Sequence, residues 1–135
     1  MPTVSASRLV RAMPAVIGRA LTPAALVEYE DTFTVNEVSE TDDGWVVAAG
    51  RRGLDLAFAF EAHENGFVYE QRGDGPLETL ETTVTYAAEN EGTRVKLCST
   101  VSTGLPLSVL IDRVAAWKRR VELRRALDRL AADVE

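Results

Sequence analysis

The sequence has almost no cysteine or histidine, and this scarcity excludes several kinds of chemistry. Cys98 is the only cysteine and His63 the only histidine among 135 residues. A single cysteine cannot form an intrachain disulfide, and structural zinc sites usually take several Cys or His ligands. His63 lies beside Asn65-Gly66, a strong hairpin signal, so we expect its side chain in solvent at a hairpin tip. The sequence therefore predicts no metal site, no cofactor and no histidine-based catalytic set.

Long apolar runs and nucleotide-binding motifs are also missing. No stretch of about 18 apolar residues occurs, so we expect no stable membrane insertion. The first residues lack the pattern of a signal peptide, which favours a cytoplasmic protein. No P-loop and no G-x-G-x-x-G motif is present. The composition, 46% hydrophobic and 27% charged, is typical of a globular domain, and residues 1–135 fit a single one.

The net charge of −6 is distributed unevenly along the chain. Residues 104–135 contain seven Arg or Lys against five Asp or Glu, which leaves eight basic and sixteen acidic residues, a net charge of −8, for the rest. This acidic body would repel phosphates. Cations toward the end of a helix complement its dipole and pair with acids such as Asp128. We therefore expect an acidic protein with no nucleic-acid partner.

The chain from residue 31 to residue 103 alternates between apolar and polar residues with a period of two, which is typical of strands with one buried face. Turn signals such as Asp43-Gly44 and Asn65-Gly66 separate the segments. A first strand, Pro2–Val10, and two short helices, Ala12–Leu21 and Thr22–Tyr29, come before them, with Thr22 as the cap of the second helix. The later strands are predicted from Asp31 to the Asp42-Asp43-Gly44 turn and at Trp45–Arg52, Leu54–Ala62, Phe67–Arg72, Leu77–Glu89 and Thr93–Thr103. Strands joined by tight turns predict an antiparallel meander of about seven strands.

One long helix is predicted over residues 104–135, because Pro106 suits a first turn and no proline or glycine follows it. About 28 helical residues would span roughly 40 Å, enough to cross the sheet. The apolar residues of this helix form two stripes on nearly opposite faces. The first is Leu107, Leu110, Ile111, Val114, Trp117 and Val121, and the second is Leu123, Leu127, Leu130 and Val134. Either the helix kinks near Lys118–Glu122, or it changes partner there, with the sheet against the first stripe and another partner against the second. For the second, cover by the two short helices and a homodimer contact remain open.

The order of elements, the EGTRVKL run at Glu91–Leu97 and the Arg-rich helix after Gly104-Leu105-Pro106 carry a family resemblance over essentially the whole chain. The sequence resembles the START-like (SRPBCC) helix-grip superfamily, in particular the small prokaryotic polyketide cyclase/dehydrase and lipid-transport type. Tyr29 matches an aromatic residue that many members carry after the second helix. The resemblance implies an α+β fold in which a curved sheet grips the long helix. It also implies a cavity for a hydrophobic ligand such as a lipid, quinone or polyketide.

The residues predicted to line this cavity are the aromatic and aliphatic side chains assigned to the inner faces of strands and helix. They are Phe33, Trp45, Phe58, Phe60, Tyr69, Tyr86, Trp117 and Val121. The expected function is binding or transport of a small hydrophobic ligand. A cyclase- or dehydratase-like enzyme using the same cavity, or a protein-interaction module with a filled cavity, are the alternatives. No catalytic constellation is visible, so whether a reaction takes place stays open.

Overall fold

The computed structural model describes residues 3–51, 54–73, 79–102 and 109–135. Seven strands and three helices follow one another in the order that the sequence predicts. They are β1 (Thr3–Val10), α1 (Pro14–Ala20), α2 (Pro23–Glu30), β2 (Thr34–Glu40), β3 (Gly44–Arg51), β4 (Leu54–His63), β5 (Gly66–Gly73), β6 (Thr79–Glu89), β7 (Gly92–Ser102) and α3 (Val109–Val134). The predicted start of the long helix, at Gly104-Leu105-Pro106, lies outside the described residues.

All seven strands form one antiparallel sheet in the order β1-β7-β6-β5-β4-β3-β2. Strands β2 to β7 are a simple meander, and β1 pairs with β7, so the first and last strands are neighbours. The pairing of β2 with β3 shifts register between Val35 and Glu37, which marks a bulge that bends the edge strand. The predicted α+β helix-grip fold, a curved antiparallel sheet with a long C-terminal helix, is confirmed.

The turns follow the local chemistry of the sequence. The Asn65-Gly66 signal lies at the β4–β5 hairpin, where Gly66 has φ 149° and an added Cβ would lie 1.8 Å from the carbonyl oxygen of Val84. Only glycine fits there. Thr22 caps α2 as predicted, because its hydroxyl accepts a hydrogen bond from the backbone N–H of Ala25 at 3.2 Å.

The core lies between the inner face of the sheet and the three helices. Alternate residues of the strands point into it, for example Val47 and Ala49 of β3 or Val95 and Leu97 of β7. Helix α1 contributes Ile17. The largest helical share comes from the second half of α3, where the following residues are buried: Leu123, Ala126, Leu127, Leu130 and Ala131. This half packs on β1, β7 and the short helices.

The prediction that the first stripe of α3 faces the sheet was wrong for its described side chains, while those of Leu107, Leu110 and Ile111 lie outside the described residues. Trp117 is 68% exposed and Val121 38%, and Val114 is exposed as well. Leu123, Leu127 and Leu130 are buried in the core, and Val134 packs against it. These four residues therefore cannot form the homodimer contact considered above, because their own domain already covers them. The error arose because the inward positions before Leu123 include a charged residue, Arg119, which an apolar pattern does not identify.

Among the described residues, no helix combines the length and the apolar character needed to cross a bilayer.

Candidate functional site

A cavity of about 240 Å³ lies between the first half of α3 and the inner face of the sheet. Its wall is largely apolar on the sheet side, where Phe58 and Leu80 contribute, and Phe33 closes the side next to β2. Polar side chains occupy its floor and its rim. The lining residues are Glu30, Thr32, Phe33, Phe58, Gln71, Leu80, Ala115, Lys118, Arg119 and Glu122. An apolar space with a few converging polar groups has the character of a small-molecule site.

The end of α2 brings a carboxylate to the cavity floor. Glu30 is the last residue of α2, and Asp31 then leaves the helix in the left-handed conformation with φ 60°. Glu30 follows Leu26 by four residues and Val27 by three, so it shares the buried face of α2 and is only 3% exposed. The backbone carbonyl of Glu30 also accepts a hydrogen bond of 2.9 Å from Arg125 of α3. The position of the carboxylate is therefore fixed from both its side chain and its backbone.

Arg119 on α3 is the partner of this carboxylate and is only 2% exposed. Its two terminal nitrogens donate to the two carboxylate oxygens of Glu30 at 2.8 and 3.1 Å, which is the bidentate arrangement of a strong pair. One terminal nitrogen also donates to the hydroxyls of Tyr69, at 2.7 Å, and Thr82, at 2.8 Å. Its Nε donates to the hydroxyl of Ser99 at 3.0 Å. Three strands and two helices thus meet at one guanidinium.

The remaining hydroxyls of this network are also paired. Tyr69 donates to Glu30, and the hydroxyls of Thr82 and Ser99 are 2.6 Å apart. Among the described residues, no buried side-chain nitrogen or oxygen lacks a hydrogen-bond partner. A buried charge pair with every polar atom satisfied is tolerated, whereas a half-satisfied one would be costly. The network is therefore part of the structure of the cavity floor as well as one of its surfaces.

The protonation states of the network follow from its electrostatics. Burial alone would lower the pKa of the Arg119 guanidinium, but attraction to Glu30 outweighs it and the pKa is raised. Burial raises the pKa of Tyr69, and Glu30 adds to the rise while Arg119 opposes it. Arg119 is therefore a permanent cation, and Tyr69 keeps its proton at physiological pH. Tyr69 is a hydrogen-bond donor here and not a base.

The rim of the cavity carries a second, smaller polar group. Thr32 donates a hydrogen bond to one carboxylate oxygen of Glu122. The other oxygen of Glu122 lies 3.8 Å from a terminal nitrogen of Arg119, so the rim and the floor are electrostatically linked. Lys118, one turn before Glu122 on α3, adds a cation to the rim. A polar ligand group entering the cavity would meet opposite charges at its mouth.

The residues predicted to bind ligand fall into three groups in the structure. Phe33 and Phe58 line the cavity, with their ring centroids 6.1 Å apart in an edge arrangement. Tyr69 belongs to the polar network, and Phe60 stacks on it with centroids 4.5 Å apart. Trp45 packs edge-on against Phe67. These aromatic rings continue the floor of the cavity into the core.

The other three predicted residues do not line the cavity, although Trp117 and Val121 line an outer groove of about 460 Å³ that shares Lys118 and Glu122 with it. Tyr86 packs beside α1, where its hydroxyl oxygen would lie 3.1 Å from a Cβ added at Gly18. Trp117 and Val121 point outward on α3, as described above, because the helix turns Arg119 toward the sheet instead. His63 lies at the tip of the β4–β5 hairpin with its side chain 53% exposed, 4.0 Å from Glu61.

Sequence reasoning did not identify the polar floor, although its signals were present. Thr82 alternates in phase with Leu80 and Val84, and Ser99 in phase with Leu97 and Val101, so all six share the inner face of the sheet. Arg119 precedes Leu123 by four residues and Leu127 by eight, which places it in line with the buried stripe of α3. Polar residues at positions where the alternation predicts buried apolar side chains indicate a buried polar network.

A larger groove of about 480 Å³ lies on the opposite, outward face of the sheet. Residues that alternate away from the core form most of it, including Val46, Ala59, Glu70 and Arg72. Three of the residues predicted to bind ligand, Trp45, Phe60 and Tyr69, also contribute to its lining. None of the helices in the described part of the chain covers this face, and two of its charges, Glu70 and Arg72, already pair with each other at 2.9 Å. The space beside α3 is thus the better candidate for a site.

Comparison of the sequence with protein-family models and with curated proteins gives no significant match. Solved structures, in contrast, match over nearly the whole chain. A START superfamily protein from Mycobacterium smegmatis has a TM-score of 0.72 and 15% identity, with 97% of each chain covered. A protein of Thermus thermophilus has a TM-score of 0.68 and 22% identity, with 99% of this chain and 100% of that chain covered.

A third similar structure is the di-domain ARO/CYC protein BexL from the BE-7585A biosynthetic pathway. The TM-score is 0.64 at 16% identity, and the match covers 93% of this chain and 45% of that one. At such low identities the similarity concerns the fold alone. The chain has the START fold, as the sequence resemblance predicted.

Proposed function

We propose that the chain binds a small, largely apolar molecule with at least one polar group in the cavity between α3 and the sheet. The observation that carries this proposal is that the cavity has an apolar wall and a charged rim. Phe33, Phe58, Leu80 and Ala115 offer apolar surface, while Lys118 and Glu122 offer charge at the rim. Binding sites of this kind take affinity from the apolar wall and orientation from the polar groups. Residues 1–135 would form one domain around this site.

The size of the cavity limits the ligand. About 240 Å³ corresponds to roughly eight water molecules and is smaller than the pockets, roughly 300–1,000 Å³, that hold drug-sized ligands. One or two fused rings or a short acyl chain would fit. A full-length lipid or a long-tailed quinone would need a larger space. A ligand confined to this cavity is therefore small, such as a polyketide-like or short-chain lipid-like molecule, and a longer one would extend into the adjoining groove of about 460 Å³, which also contains Lys118 and Glu122.

The similar structures support a hydrophobic ligand in general terms. One of them is named a START superfamily protein and another an ARO/CYC protein of a biosynthetic pathway. These names apply to those proteins and not to this chain. Their shared fold is consistent with a ligand in the cavity beneath the long helix.

A cyclase- or dehydratase-like enzyme is the second candidate, favoured by the polar cluster of Glu30, Tyr69 and Arg119 beside the cavity. The partners within this cluster already use its polar atoms, and Tyr69 stays protonated. Glu122 at the rim is then the best-placed group for proton transfer. The molecules recovered from wild type and from Glu122→Gln would separate the two candidates. A binder would carry the same molecule in both, whereas an enzyme would carry an unconverted substrate in the variant.

Binding can be tested by isothermal titration with 2-naphthol, a two-ring apolar molecule with one hydroxyl. Ala115→Phe places a ring inside the cavity from the helix side. Ala132→Phe is the matched control, because residue 132 is exposed on the same helix and lines only an outer groove. We expect saturable binding to wild type and to Ala132→Phe, and loss of binding in Ala115→Phe. No saturable binding to wild type, or equal binding to all three proteins, would contradict the proposal.

A further inference from the structure

The outward side of the first half of α3 carries exposed apolar side chains in a row. Val114, Trp117 and Val121 are 61%, 68% and 38% exposed and follow helical spacing, so they share one face. Among the described residues only two other large hydrophobic side chains, Met13 and Val38, are comparably exposed. An exposed tryptophan flanked by two valines on a rigid helix is a contiguous patch, which usually marks an interaction surface.

Four cations surround this patch: Arg113, Lys118, Arg120 and Arg124. At about 100° per residue, Arg113, Arg120 and Arg124 lie within roughly 60° of Trp117 on one side, and Lys118 lies on the other. We call Val114, Trp117, Val121 and these four cations the Trp117 face. All seven residues are exposed. The face is thus apolar along its centre and basic along both margins.

The cations of the Trp117 face differ from many others in the molecule. None of the four has an ion-pair partner among the described residues, whereas Arg8, Arg72, Arg94 and Arg129 pair with carboxylates. Between positions 113 and 125 the only acidic residue is Glu122, which turns inward to Thr32 and Arg119. The nearest acids beyond this segment are Asp112 and Asp128, and Asp128 already pairs with Arg8 at 2.7 Å. The face therefore carries a local excess of positive charge, although the whole chain has a net charge of −6.

We propose that the Trp117 face docks on the surface of an anionic lipid bilayer. Tryptophan is favoured at the membrane–water interface, and valines on the same face would enter the acyl boundary beside it. The flanking arginines and the lysine would lie at the level of the negative headgroups. The face complements such a surface in both polarity and charge. This role goes beyond ligand binding and does not depend on it.

Two other partners fit the face less well. A nucleic acid would satisfy the cations but leave the two valines without an apolar partner. A second copy of the chain packing this face on itself would bring the same unpaired cations together, and their repulsion opposes association. The acidic remainder of the protein repels an anionic membrane only weakly at physiological salt. Charges farther than about 8–10 Å from the surface are screened, so the local positive face decides the interaction.

The cavity and the Trp117 face lie on different sides of the same half of α3. Ala115 and Glu122, which line the cavity, are about 140–160° around the helix axis from Trp117, so docking would leave the cavity on the protein side of the helix. The association is peripheral, because only one face of the helix is apolar.

The proposal can be tested by flotation with vesicles of phosphatidylcholine containing about one third phosphatidylserine, and with vesicles of phosphatidylcholine alone. The triple variant Arg113→Gln, Arg120→Gln, Arg124→Gln removes three cations of the face. The control Arg11→Gln, Arg19→Gln, Lys96→Gln removes three exposed cations elsewhere and gives the same net charge. Trp117→Ser removes the aromatic anchor. Every substituted side chain is exposed, so we expect all variants to fold, and circular dichroism checks this.

We expect wild type to bind the anionic vesicles and not the neutral ones. Each cation near the surface contributes roughly fivefold in affinity, so the triple variant should lose on the order of a hundredfold, while the control binds like wild type. Trp117→Ser should also weaken binding. Failure of wild type to bind anionic vesicles would overturn the proposal, as would equal losses in both triple variants. A dimer in vesicle-free solution that Trp117→Ser dissociates would overturn it in favour of a second copy.

Discussion

The two halves of α3 differ in what they turn toward the sheet. Residues 123–134 bury leucines and alanines against β1, β7 and the short helices. Residues 112–122 turn Arg119 and Glu122 inward and leave Trp117 in solvent. The second half fills its space, whereas the first half encloses a cavity of about 240 Å³. One continuous helix thus combines an apolar anchor with a polar, incompletely filled segment.

This difference separates stability from function along the helix. Close packing in the second half supplies hydrophobic stabilisation, and each buried leucine there contributes roughly 2–3 kcal/mol. In residues 112–122 the Arg119 network links the helix to α2 and the sheet, and a cavity lies beside it. Changes in the second half should therefore affect folding first, and changes in the first half should mainly affect binding, except at the network itself.

The largest expected effect comes from placing a charge in the anchor. Leu127→Asp removes a buried leucine, which alone costs about 2–5 kcal/mol, and adds an unpaired carboxylate to the core. Because small domains have only about 5–15 kcal/mol of stability, we expect the variant to be largely unfolded. The matched control is Val121→Asp, on the exposed side of the same helix, which should stay folded. Thermal melts by circular dichroism would show both, and a well-folded Leu127→Asp would contradict the assignment of this stripe to the core.

The next largest effect concerns the network under the cavity. Arg119→Met leaves Glu30 buried without its cation and should destabilise the fold by about 3–5 kcal/mol. Adding Glu30→Leu removes the orphaned carboxylate, so the double variant should recover much of this loss. Urea unfolding of wild type, both single variants and the double variant gives the coupling energy. Additive losses would mean that the two groups are not coupled in solution.

The smallest effect on stability should come from the contact between α2 and the end of α3, and it should depend on pH in the alkaline range. The Tyr29 hydroxyl donates to Asp133 at 2.7 Å. Partial burial, with the hydrogen bond and charge of Asp133, raises the pKa of Tyr29 from 10.0 to about 12. Because the folded state binds this proton more tightly, the stabilisation is complete below pH 10 and is lost as the pH rises to about 12.

Tyr29→Phe should lack this contribution. The difference in unfolding free energy between wild type and the variant should therefore shrink as the pH rises through this range, as measured by urea unfolding at a series of pH values. A difference that stays constant from pH 10 to pH 12 would show that the hydroxyl titrates in the same way in folded and unfolded chains.

Much of the fold was predictable because its signals are local. Alternation along β4, the Asn65-Gly66 turn and the Thr22 cap each depend on a few neighbouring residues, and all three are in the structure as expected. The order of strands follows from hairpin connections, since consecutive strands joined by tight turns become neighbours. The resemblance to helix-grip proteins depended on the same order of elements.

The candidate site was less predictable because its parts are distant in sequence. Arg119 is 89 residues from Glu30 and 50 from Tyr69. Hydrophobicity assigned Trp117 to the core and gave no sign that Arg119 is buried, whereas the bidentate pair and three hydroxyls make burial of Arg119 acceptable. Phe33 and Phe58 were identified as cavity candidates because apolar side chains keep their strand period. The phase of a helix that carries both a buried cation and an exposed tryptophan cannot be read from hydrophobicity alone.

The central claim is that the first half of α3 encloses an open binding cavity. Native mass spectrometry of the protein purified without added ligand, followed by denaturing extraction, tests this most directly. We predict a bound small molecule in wild type and in Ala132→Phe, and its absence in Ala115→Phe. A bound molecule that persists in Ala115→Phe, or a ligand-free wild type that also fails to bind 2-naphthol, would contradict the account.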